Sequence, residues 1–174
     1  VTILDVDEIN PTITGPSGSA GDATSSTSIT ENITAVHTFS ADESVTWSIS
    51  GSDSALFTID SSSGALAFSS APDYETAADD GGDNVYVLVI TATDSASNAS
   101  SQTLSVTILD LDEIDPTITG PSGSAGEATS STSITENITT VHTFTADESV
   151  SWSVSGSDSA LFTIDSSSGA LAFS

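Results

Sequence analysis

Acidic residues crowd into one short segment, and they do so twice. Asp5-Val6-Asp7-Glu8-Ile9-Asn10-Pro11 returns as Asp110-Leu111-Asp112-Glu113-Ile114-Asp115-Pro116. The chain has 174 residues, 25 Asp and Glu, 2 His, no Cys and no Lys or Arg, giving a formal net charge of −25. No salt bridge between side chains can neutralise those carboxylates. Gathered at one place they repel one another strongly, and a bound cation reverses the sign of that interaction. Carboxylate and carbonyl oxygens without imidazole or thiolate suit a hard divalent ion. The plainer alternative is solvated surface charge on a domain that folds in high salt.

The acidic segment recurs because the whole chain does. Residues 1–69 align without a gap to residues 106–174, a period of 105, and seven pairs differ. They are Val6/Leu111, Asn10/Asp115, Asp22/Glu127, Ala35/Thr140, Ser40/Thr145, Thr46/Ser151 and Ile49/Val154. A fixed period of domain size marks a modular array, and a unit that works by being multiplied points away from an enzyme. Catalytic signals are missing as well. The sequence has no G-x-S-x-G, no Cys, no Lys, and no acid–base partner suggested for the single His of each copy. Without Lys or Arg, nucleic acid and anionic lipid are not expected as partners. No apolar run approaches the roughly 20 residues of a membrane-spanning helix.

The elements that must position the acids read as strands. Val45–Ser50 and Leu104–Ile108 alternate apolar and polar with period two. That regularity argues against disorder despite the charge. Asn84–Thr93 carries Tyr86, Leu88, Ile90 and Ala92 on one face and Val85, Val87, Val89 and Thr91 on the other, as expected of a central strand partly covered on both sides. Phe57/Ile59 and Leu66/Phe68 flank Asp60-Ser61-Ser62-Ser63-Gly64, a hairpin with Asp opening the turn and Gly at a position suited to positive φ. Thr12–Thr14, Ser28–Thr30 and Val36–Ala41 complete a set of about seven short strands in one period, the pattern of a two-sheet antiparallel sandwich with Greek-key connections. Trp47 and Trp152 are the expected core anchors of the two copies.

At this point the residues meet a family. Each copy resembles a cadherin repeat in its bacterial cadherin-like form, a seven-stranded antiparallel β-sandwich of the cadherin/immunoglobulin kind. The family linker D-x-N-D-N-x-P-x-[aromatic or aliphatic] corresponds to Asp110, Asp112 in the first Asn place, Glu113, Ile114 in the second Asn place, Pro116 and Ile118, and x-E-N is matched by Thr30-Glu31-Asn32. L-D-R-E appears as Asp73-Tyr74-Glu75 with Pro72 in the Leu place, and A-x-D-x-G as Ala92-Thr93-Asp94-Ser95-Ala96 with Ala in the Gly place. D-x-D is degraded to Ala41-Asp42-Glu43.

The resemblance implies calcium ions shared between successive repeats, about two or three per joint. At the joint around Asp110–Pro116 it draws Glu31, Asp73 and Glu75 from the first repeat, and Asp110, Asp112 and Glu113 from the linker. Asp147 or Glu148 comes from the second repeat, and the Ile114 carbonyl serves as a main-chain ligand. At the N-terminal joint the linker acids are Asp5, Asp7 and Glu8, and Asp7, Asp42 and Asp94 form an outer site. Glu31 and Glu113 occupy the places that bridge neighbouring ions, and the degraded D-x-D makes the outermost site the weakest. The expected organisation is the end of a preceding repeat plus linker in residues 1–10, a complete repeat in 11–112, and the first two-thirds of another in 113–174. The chain then reads as a window on a longer array, whose second copy lacks its most apolar strand.

Other polar residues have blander readings. Asp79-Asp80-Gly81-Gly82-Asp83-Asn84 reads as a turn before it reads as an extra calcium loop, and Asp53 and Asp60 read as turn residues. His37, repeated as His142, reads as structural. Asn98 is the glycosylation candidate, at a hairpin tip. The resemblance implies an extracellular, cell-surface or secreted protein in which neighbouring repeats of the same chain are the partners. Its primary reading is a calcium-stiffened extender of a very long adhesin or surface fibre. The competing readings are an adhesive module, contacting a glycan or another copy, and an accessory domain of a secreted polysaccharide-degrading enzyme.

Overall fold

The computed structural model describes residues 7–174, so Asp5 lies outside the described residues. The chain divides into two compact units, the first closing at Asp112 and the second running from Glu113 to Ser174. In the first unit the strands are β1 (Ile13–Thr14), β2 (Thr24–Thr30), β3 (Ala35–Thr38), β4 (Ser40–Ala41), β5 (Thr46–Ser50), β6 (Phe57–Ile59), β7 (Ala65–Phe68), β8 (Val85–Thr93) and β9 (Ala99–Leu109). One sheet has the order β2-β9-β8-β5, a second has β3-β7-β6, and β1 pairs with β4.

Period-two patterning explains which faces meet. Tyr86, Leu88, Ile90 and Ala92 of β8 are all at most 1% exposed, as are Leu104, Val106 and Ile108 of β9. They lie across the antiparallel ladder as Tyr86↔Val106 and Leu88↔Leu104. From the opposite sheet, the Phe57 and Phe68 rings pack tilted at 35° with centroids 4.0 Å apart, and Phe68 meets Tyr86 edge-on at 5.1 Å. Trp47 is buried against Phe39. The β6–β7 hairpin turns as its sequence requires. Asp60 Oδ1 accepts from the backbone N–H groups of Ser62 and Ser63, and Gly64 has φ +73°.

Three details differ from the expectation. The segment expected as one strand over Val36–Ala41 breaks at Phe39, whose ring is buried and whose N–H donates to the Gly64 carbonyl. β3 then stays in the three-stranded sheet while β4 leaves it to pair with β1. β2 is longer than Ser28–Thr30 and runs parallel to β9, not antiparallel. Its polar Thr-Ser-Ser-Thr start has no apolar stripe. A buried polar contact holds it: Ser25 Oγ to Gln102 Oε1 at 2.8 Å, with Gln102 Nε2 donating to the Asp22 carbonyl. A Cβ at Gly15 would overlap Gln102 Oε1, so this contact also demands the glycine.

The second unit contains β10 (Ile118–Thr119), β11 (Thr140–Thr143), β12 (Thr145–Ala146), β13 (Phe162–Ile164) and β14 (Ala170–Phe173). The β11-β14-β13 sheet and the β10–β12 pair reproduce the corresponding parts of the first unit. Residues 129–135 and 151–155, the counterparts of β2 and β5, lie in no sheet. In the first unit those strands pair with β9 and β8, which have no counterpart in residues 113–174. Side chains show the difference: Phe68 is 5% exposed and its counterpart Phe173 is 40% exposed.

Candidate metal centres

The first unit gathers carboxylates at two places. At one, Glu31, Asp73 and Glu75 each bring an oxygen within 4.8 Å of the others. Glu31 ends the run that begins with β2, and its backbone N–H extends the pairing to the Leu109 carbonyl of β9. Its side chain is 1% exposed. Oε2 accepts from Tyr74 N at 2.7 Å and Oε1 from Leu111 N at 2.9 Å, so one carboxylate fastens both the 72–76 loop and the linker. Asn32 follows in the left-handed region at φ 62°, which Asn tolerates well. Its N–H donates to the Pro72 carbonyl, bringing Asp73 and Glu75 alongside. The Glu75 carboxyl is pulled down by its own backbone N–H. Desolvation and repulsion from Glu31, Asp110 and Asp73 outweigh that and push it above the usual range.

At the other place Asp7, Glu43 and Asp94 meet under the same distance criterion. Asp94 follows β8 and is 8% exposed. Desolvation pushes its pKa up, but hydrogen bonds from Asn98 and from the backbone of Ala96 and Ser97 hold it below the usual range. Asn98 donates its N–H to Asp94 Oδ1 at 2.8 Å and Nδ2 to Asp94 Oδ2 at 2.7 Å, and Nδ2 also reaches the Asp7 carbonyl at 3.0 Å. Glu43 is pushed up by desolvation, then by Asp7, Asp94 and Asp42.

Sequence and structure part company over Asp42. Its Oδ1 accepts from Thr12 N at 2.7 Å, and Glu43 stands in the cluster where Asp42 was expected. The degraded D-x-D placed Asp42 in the outer group, whereas it is the next acid, Glu43, that brings an oxygen near Asp7 and Asp94. Asp147 repeats the arrangement, accepting from Thr117 N at 2.8 Å. Glu8 is exposed, Asp110 lies close enough to Glu75 to raise its pKa, and Asp112 closes the first unit. Glu113, Asp147 and Glu148 belong to the second unit. Asn98 uses its amide to hold Asp94 and Asp7, work that a glycan on Nδ2 would disturb. His37 is half-buried, packs edge-on against Phe39 at 5.0 Å, and is lowered by desolvation.

The acidic loop is a turn, and a firmly made one. Asp79 is 7% exposed and accepts from Asp83 N and Asn84 N. Asp53 does more than turn the chain. At 4% exposure it accepts from Asp80 N at 2.8 Å and Val87 N at 2.6 Å, tying that loop to the start of β8. Its long-range role had no signal in local spacing.

Both clusters suit a hard cation. Their donors are carboxylate oxygens at mutual distances one ion can span, in a chain without a Lys or Arg to neutralise them. The raised Glu43 and Glu75 are the cost of assembling them uncompensated.

No family model matches the sequence, and no curated protein matches it. Solved structures match in shape. The human protocadherin-24 EC1-2 structure aligns over 95% of this chain and 77% of its own, at 19% identity and a TM-score of 0.54. Human CDH23 EC21-23 aligns over 98% of this chain at 19% identity and a TM-score of 0.52, and the protocadherin GammaB4 extracellular domain gives the same three values. This chain spans 55% of the former and 27% of the latter. The likeness is one of fold: the chain is all-β, with a cadherin-like β-sandwich. No helix is long and apolar enough to cross a membrane among the described residues.

Proposed function

We propose that this chain is a calcium-stiffened extender segment of a long extracellular adhesin or surface fibre, built from bacterial cadherin-like repeats. The observation that carries the reading is the convergence of Glu31, Asp73 and Glu75 in a chain with no cationic side chain except the two histidines. In the first repeat Glu31, Asp73, Glu75, Asp110 and Asp112 are the calcium ligands of this reading, and in the second Glu113 with Asp147 or Glu148. Asp7, Glu43 and Asp94 form the corresponding outer site, with Asp5 and Glu8 on the same linker. Calcium supplies the positive charge that turns mutual repulsion into attraction, and two or three ions per joint fix the angle between repeats. The near-identity of the copies supports an extender over a module with one dedicated ligand.

Calcium that binds the folded state alone stabilises it by mass action, about 2.7 kcal/mol at a hundredfold excess over the dissociation constant. Thermal unfolding of the full chain should therefore shift upward with calcium and return with chelator. Curves that superimpose in both conditions would count against the reading.

A further inference from the structure

β2 and β9 are joined in the geometry that resists a pull along the chain. We infer that the parallel β2–β9 ladder is a tensile clamp, which keeps the first unit folded when force passes through its two ends. This is a load-bearing function separate from calcium binding, and it takes from the extender reading above just the source of the load.

Topology sets how the load is shared. β2 lies beside β9 in parallel register from Thr24↔Thr103 through Thr30↔Leu109. Tension enters β2 at Thr24 and leaves β9 at Leu109, which are opposite ends of the ladder. The strands are therefore sheared, and their bonds are loaded together. Upstream, the two-residue pairing of β1 with β4 is short enough to part first. Contacts beyond the register pairs lengthen the ladder at both ends. At the entry, Thr103 N donates to the Ala23 carbonyl at 2.9 Å and Gln102 Nε2 to the Asp22 carbonyl at 2.8 Å. The same Gln102 side chain, 1% exposed, holds Ser25 Oγ. At the exit, Glu31 N donates to the Leu109 carbonyl at 3.1 Å and Leu111 N to Glu31 Oε1 at 2.9 Å. β2 reads Thr-Ser-Ser-Thr-Ser-Ile-Thr, so hydrogen bonds are its main hold on the sheet, and shear loads those bonds side by side. The bonds at Ala23 and Glu31 also fix the alternation: odd-numbered residues of β2 turn their backbone groups to β9, and even-numbered ones turn them outward. Outward Ser26 N is taken by Ser17 Oγ at 2.8 Å, which blunts the free edge.

Single-molecule force spectroscopy in chelator tests the clamp on the full chain, which has no cysteine and so accepts a unique handle site. With one handle at the N-terminus, a second at exposed Asp115→Cys shears β2 from β9. A second handle at Ser95→Cys, in the exposed turn before β9, peels the strands apart from one end. The sheared unit should yield at higher force than the peeled one, in one event that releases roughly 280 Å of chain as residues 24–109 extend. Forced unfolding follows the unfolding rate, so losing a bond of the clamp should register in the peak. Thr27→Pro removes an inward N–H and should lower the sheared peak. Ser28→Pro falls on an outward N–H, where an edge strand tolerates proline, and should leave that peak in place. Equal forces in the two pulling geometries would overturn the inference, and that comparison stands even where a proline variant fails to fold. A loss at Ser28→Pro equal to that at Thr27→Pro would overturn it too. With chelator present throughout, a failed clamp leaves the calcium reading standing, and melting that ignores calcium leaves the clamp standing.

Discussion

Glu31 shows what a single carboxylate does in a chain with no lysine or arginine. It is buried, it fastens Tyr74 N and Leu111 N, and it lies beside Asp73 and Glu75. The two backbone donors stabilise its charge locally, and the neighbouring acids remain uncompensated. Two predictions belong to this scale. Glu113→Ala should weaken calcium binding with little effect on melting in chelator. Asp79→Ala should leave calcium binding unchanged but cost about 1–3 kcal/mol, because Asp83 N and Asn84 N lose a buried acceptor. Calorimetry and thermal unfolding separate the two, and equal losses of affinity would reject the assignment. The second prediction concerns pH. Glu43 and Glu75 have folded pKa values above the unfolded ones, so their charging opposes folding. Their penalty is present above the raised folded values and fades as pH falls through them toward the ordinary glutamate range. Asp42, Asp60, Asp94, Asp147 and Asp165 are lowered. Their stabilisation is full above the ordinary aspartate value and is lost as pH falls through the depressed ones. His37 is lowered too, so its protonation costs stability as pH drops below the ordinary histidine range. With His37 and His142 replaced by Gln, the chelated chain should be more stable near pH 5 than near pH 8, by melting temperature, and calcium should flatten that slope.

At the scale of elements, the β6–β7 turn makes a sharp prediction. Gly64 has φ +73°, and a Cβ there would lie 2.7 Å from the Phe39 carbonyl and 3.0 Å from the Trp47 ring. Gly82 has φ +65° with nothing within 4 Å. Gly64→Ala should therefore cost more than the roughly 1–2 kcal/mol of left-handed strain expected at Gly82→Ala, as read by chemical denaturation, and equal costs would contradict the packing. Gly64 was legible in sequence, because Asp60 and the flanking apolar alternation define the hairpin. So was the buried face of β8, where Tyr86, Leu88, Ile90 and Ala92 repeat every second residue. β2 was only partly legible. Its Ser and Thr residues have no apolar periodicity, and its place beside β9 depends on Ser25 meeting Gln102, 77 positions away. The break at Phe39 escaped for a related reason. Alternation continues through it, and only the contact with Gly64 shows that the chain changes partners there. At the site, Glu31, Asp73, Glu75 and Asp94 were readable from ordered motifs. Glu43 was not, since spacing cannot tell which of two adjacent acids turns inward.

For the whole molecule, a net charge of −25 with no Lys or Arg leaves the carboxylates without side-chain counter-charges from Lys or Arg, which is why the proposed reading gives that role to bound cations. Near-identical copies multiply whatever one joint does. In the proposed reading, calcium held by the linker carboxylates fixes one repeat against the next. Small-angle X-ray scattering of a tandem of two complete repeats, with calcium and then with chelator, tests it most directly. Calcium should give a narrow, extended pair-distance distribution with a well-defined maximum dimension, and chelator should broaden it as the joint loosens. Superimposable profiles in the two conditions would contradict the account.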